Sequence, residues 1–79
     1  MRAIELIEWR DASNDTEGWQ SDDALDDDNC IIRSVGFVVK ETDNNLTLAM
    51  DEDESGHTNG RGRIPKSLII SRKVLHESD

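Results

Sequence analysis

CIIRSVGFVVKE, residues 30–41, is the longest run of β-branched and aromatic side chains in the chain. Such side chains are stiff at χ1 and pack well on a pleated surface, so the run reads as a strand. Gly36 interrupts it. A glycine inside a strand marks a bulge or a sharp bend, which a small curled sheet needs.

Reading outward, residues 2–9 (RAIELIEW) alternate imperfectly, with Ile4 and Leu6 on one face and Ile7 and Trp9 on the other. A helix competes, because Ile4, Ile7 and Glu8 also fit its period, but the run is short and Trp and Ile favour sheets. After the long strand, TDNN (42–45) is a turn whose side chains bond their own backbone. LTLAM (46–50) alternates, placing Leu46, Leu48 and Met50 inward. DEDESGHTNG (51–60) is a second acidic loop, closing on Asn59-Gly60, a hairpin signal. Residues 61–64 lead a further strand into Pro65, which cannot donate to a ladder and marks a strand end or edge. KSL (66–68) fits one tight helical turn, IISRKVL (69–75) is the last strand, and HESD is a tail. The pattern predicts a single all-β domain over 1–79. It is a small four- to five-stranded barrel, Src-homology-3-type or Sm-like, with a long acidic loop over 11–29 after its first strand.

Seventy-nine residues with 34% hydrophobic content bury a thin core. One cysteine, Cys30, excludes an internal disulfide and, beside Ile31 and Ile32, reads as a small core filler. Oligomerisation or a bound ligand is then the expected source of extra stability, and the chain is expected to be a homo-oligomer. No apolar run is long enough to span a membrane and no secretory signal is read, so a cytoplasmic location in the host cell is expected.

Net charge is −9, which disfavours direct binding of nucleic acid and of anionic membrane surfaces. The charge is polarised. Residues 1–54 carry sixteen acids and four bases, whereas residues 55–79 carry two acids and five bases: Arg61, Arg63, Lys66, Arg72 and Lys73. Opposed charges favour a head-to-tail contact between copies.

Cys30, His57 and His76 lack metal-ligand spacing, so no zinc site is expected. DEDESGHTNGRG opens like a calcium loop, with Asp51, Asp53 and Ser55 at alternate positions and Gly56 sixth, but its twelfth residue is Gly62 where a bidentate Glu is required. That run and Asp26-Asp27-Asp28 read as solvated charge, at most weak sites for divalent ions. No nucleophile elbow, phosphate loop or dinucleotide fingerprint occurs, so neither catalysis nor a cofactor is expected.

Trp9 and Trp19 stand at the two ends of a polar segment in a chain with no tyrosine and one phenylalanine. Structurally, Trp9 caps a barrel opening and Trp19 folds the long loop against it. Functionally, the two indoles make a stacking wall for a flat ligand or a hot spot for a protein partner. Asp11 and Asp15 would accept hydrogen bonds beside the ring. Arg61 or Arg63 would hold an anionic group, with Gly60 and Gly62 admitting backbone amides to it.

Trp9, Asp11 and Ala12, Gly18-Trp19, Ser34 and Gly36, and Ile64-Pro65 together resemble a family of small phage and prophage proteins that share Trp-x-Asp-small, Gly-Trp, Ser-x-Gly and Ile-Pro segments. The resemblance covers most of the chain apart from the two acidic runs, and brings no activity with it. It implies a phage-type genome and action inside a bacterial cell. The expected function is a non-enzymatic counter-defence protein that sequesters a nucleotide-like signalling ligand or a host protein. Its rivals are an acidic nucleic-acid mimic that blocks a host DNA- or RNA-binding protein, a minor structural phage protein and, last, an enzyme.

Overall fold

The computed structural model describes residues 1–11 and 30–79. Five strands, β1 (Ile4–Asp11), β2 (Cys30–Glu41), β3 (Asn45–Glu52), β4 (Thr58–Pro65) and β5 (Ile69–His76), form one antiparallel sheet in the order β4-β3-β2-β1-β5. A 3-10 turn at Lys66–Leu68 joins β4 to β5. No α-helix occurs among the described residues.

β2 does two jobs along its length. Residues 30–37 pair with β1, from Asp11↔Cys30 to Ile4↔Phe37, while residues 37–41 pair with β3, from Phe37↔Ala49 to Glu41↔Leu46. The handover falls at Phe37, next to Gly36. A Cβ there would lie 2.7 Å from the Ala49 carbonyl oxygen and 3.0 Å from Leu48 Cβ, so only the missing side chain lets β3 approach this closely. An extra residue at Val39 bends the strand further.

The inner face carries the core: Ile7, Leu46, Leu48 and Ile64, with Trp9, Val38 and Ile69 packed against it. Ile7 and Leu46 are fully buried. Ile7 and Trp9 share this face, as the alternation predicts.

Several expectations need correction. The sheet does not close into a barrel, because β4 and β5 stand at opposite edges with no ladder between them. The reason lies in what those edges turn inward: Gly60, Gly62 and Ile64 from β4, and Ile69 and Arg72 from β5, too little apolar surface to draw the edges together. Met50 is 74% exposed, since β3 has left β2 beyond Ala49 and no other described strand covers it. Cys30 is exposed at the start of β2 and fills no core. Asn59-Gly60 lies within β4; the hairpin turns earlier, at Asp53–His57, where Gly56 takes the positive φ of 87°. Asp11 is the last residue of β1, and the remainder of the expected 11–29 loop lies outside the described residues.

Candidate ligand-binding cleft

The two ends of the inner face are built differently. At one end, the Arg72 guanidinium reaches from β5 to two carboxylates. It donates to Glu5 on β1 (Nε–Oε1 2.9 Å, Nη2–Oε2 3.1 Å) and to Glu41 at the end of β2 (Nη1–Oε2 3.0 Å, Nη2–Oε1 3.1 Å). Lys66 of the 3-10 turn adds a 2.6 Å contact to Glu41. Hydrogen bonds from Arg72 and then Lys66 hold the Glu41 carboxyl down to about 2, and the carboxylates raise the Arg72 pKa in return. Glu5 is buried, and its charge is tolerated because the guanidinium satisfies both its oxygens.

At the other end β3 parts from β2 and leaves a cleft of about 470 Å³. Trp9, Ser34 and Val35 form one wall, and Met50, Gly60, Gly62 and Arg63 border the other, over Leu48 and Ile64. The Trp9 indole N–H donates to Ser34 Oγ at 3.1 Å, which fixes the ring. Gly60 has φ 66°, and a Cβ there would lie 3.0–3.1 Å from Met50. A glycine wall, a fixed indole and an adaptable thioether suit a flat ring, and the volume falls within the ~300–1,000 Å³ of ligand pockets.

Of the sequence-predicted site residues, the structure brings Trp9 and Arg63 to one cleft. Arg61 does not line it; its side chain is turned to the outer face and donates to Thr58 Oγ1 at 2.9 Å. Asp11 lies two residues beyond Trp9, opposite Cys30, and does not line the cleft. Trp19 lies outside the described residues. Ser34 and Met50 were not among the predicted site residues. Ser34 was signalled by a polar residue at an inward position of an apolar strand; Met50 is inward as the alternation has it, but it lines the open cleft rather than a packed interior.

The calcium-loop-like run is a hairpin tip. Asp53 Oδ1 accepts from the Ser55 and His57 amides (2.9 and 2.8 Å), and these backbone bonds, His57 first, lower the Asp53 pKa. Glu52 pairs with Arg2 at 2.9 Å. Among the described residues, no three His, Cys, Asp or Glu side chains converge on a metal position, and no helix is long and apolar enough to cross a membrane.

The described residues thus define an all-β protein of one five-stranded antiparallel sheet, cleft at one end. No protein-family model, no curated protein and no solved structure matches the chain.

Proposed function

We propose that the protein is a non-enzymatic binding protein that holds a small, flat, anionic ligand of nucleotide-like chemistry in the cleft between β2 and the β3–β4 hairpin. One observation carries the reading: a cleft walled by an indole whose N–H is already bonded to Ser34, leaving its π-face as the binding surface. A base stacks on Trp9 against Met50, and its anionic group leaves over Gly62 toward Arg63. The resemblance to phage proteins supports a counter-defence setting, in which such a protein sequesters a host signalling nucleotide. Exposed Val35, Ile70, Val74 and Leu75 support self-association.

Fluorescence of the Trp19→Phe variant reports Trp9 alone. Titration with mononucleotides and cyclic dinucleotides is expected to change that emission and raise the melting temperature for at least one of them. Unchanged emission and unchanged melting across the set would contradict the proposal.

A further inference from the structure

The outer face of the β2-β3-β4 ladder holds a second group of side chains that the cleft does not use. Lys40 pairs in register with Thr47, and Thr47 pairs on its other side with Arg63. Side chains directly opposite in neighbouring strands share a face, so these three form one row with the hydroxyl between two cations. Arg61 lies two residues from Arg63 on the same strand and face, opposite Ala49. Two further cavities lie over this row. One, of about 240 Å³, is lined by Lys40, Thr42, Asn45, Thr47 and Arg63, every one polar. The other, of about 310 Å³, adds Arg61, Gly62 and Val39.

The charge placement is what calls for a ligand. The chain carries eighteen acids against nine Lys and Arg. Arg2, Arg33, Lys66 and Arg72 each have a carboxylate within ion-pair distance. Arg10 and Lys73, and the side-by-side Lys40, Arg61 and Arg63, have none among the described residues. Three adjacent cations repel one another, and in so acidic a chain a carboxylate among them would relieve this at little cost. Thr47 supplies a hydroxyl donor and Asn45 an amide donor, the complement of a multi-oxygen anion, while the Thr42 hydroxyl is taken up by its own turn, donating to the Asn45 carbonyl. Arginine matches tetrahedral phosphate with two parallel N–H donors.

We propose that Lys40, Thr47 and Arg63, with Arg61 beside them, form a binding site for a phosphate or diphosphate group. The anion accepts from the Thr47 hydroxyl at its centre and from the cations on either side. Gly62 and Arg63 border both this site and the Trp9 cleft, with the edge strand β4 between them. On the nucleotide reading, the site is the phosphate subsite of the same ligand, whose ring lies against Trp9. That link rests on the reading above; the anion site itself does not.

The test separates the two halves by probe. Pyrophosphate carries phosphate and no ring, and adenosine carries a ring and no phosphate. Calorimetric titration of the full chain with pyrophosphate is expected to show salt-sensitive binding. Lys40→Gln and Arg63→Gln are each expected to weaken it about tenfold, Thr47→Val less, and the control Arg10→Gln not at all. Amide spectra of each variant confirm the fold. Free inorganic phosphate, mononucleotides and cyclic dinucleotides, run alongside, show whether the source is the free ion or a nucleotide. No pyrophosphate binding by the unsubstituted chain, or binding that survives both Gln substitutions, overturns the anion site whatever adenosine does. Trp9 emission left unchanged by adenosine and by every nucleotide of the panel, while pyrophosphate binds, overturns the shared-ligand link and the cleft reading, and leaves the anion site standing.

Discussion

The two ends of the inner face start from the same strands and finish as opposites. Where Arg72 meets Glu5 and Glu41, charged groups from β5, β1, β2 and the 3-10 turn span the gap that an unclosed sheet leaves. Where Trp9 faces Gly60 and Gly62, no side chain among the described residues spans it, and the one polar tie of the indole among those residues is its bond to Ser34. A small sheet with few apolar side chains can lock one mouth with ions and leave the other for a ligand. The core between them, Ile7 and Leu46 above all, is shared by both ends.

The largest expected effect comes from removing that shared floor. Leu46→Ala should lower stability by about 2–5 kcal/mol in denaturant unfolding, since Leu46 is fully buried. A loss below about 1 kcal/mol would mean that the floor supports neither end. Next, Arg72→Met leaves buried Glu5 without its cation and should cost about 3 kcal/mol, while Trp9→Phe, which forfeits one hydrogen bond, should cost about 1 kcal/mol. The comparison inverts for binding: Arg72→Met keeps ligand affinity and Trp9→Phe reduces it. Equal destabilisation by the two would erase the contrast. Gly36→Ala sharpens the role of the bend, because its new Cβ meets the Ala49 backbone; a loss of about 1–3 kcal/mol is expected, with changed Trp9 emission as the cleft shifts. The smallest effect is in acid. Glu41 has its pKa depressed from 4.5 to about 2, so the unfolded chain takes up its proton first as pH falls. Its contribution is whole above pH 4.5 and is lost on the way down to about pH 2. Discounted for the exposure of Glu41, this amounts to about 1 kcal/mol. Melts of Glu41→Gln should lack this component of the acid loss, and an identical acid profile would show that the carboxylate is not tied to Arg72.

Much of the fold was legible locally. β2 was read to its observed ends, Gly36 as its bend, Lys66–Leu68 as a single helical turn and Pro65 as the end of an edge strand, because each depends on neighbours in sequence. Closure was not legible, since it depends on how much apolar surface two distant strands turn inward together. Met50 shows the same limit: it continues the alternation of Leu46 and Leu48, yet its partner strand has already departed. At the cleft, Trp9 and the glycines were readable as unusual residues. Arg61 was not placeable, because it shares a face with Arg63 and only its place nearer the hairpin turn, which falls earlier than Asn59-Gly60 suggests, takes it away from the cleft. The Glu5–Arg72 pair spans 67 residues, beyond any local pattern.

The central claim, that one end is locked and the other receives a ligand, is tested most directly by backbone and indole N–H spectra during titration with a nucleotide panel. The Trp9 indole and the Gly60 and Gly62 amides are predicted to shift together with at least one nucleotide while Glu5, Arg72 and Lys66 stay still. Shifts gathered at the Arg72 end, or none at Trp9 with any member of the panel, would contradict it.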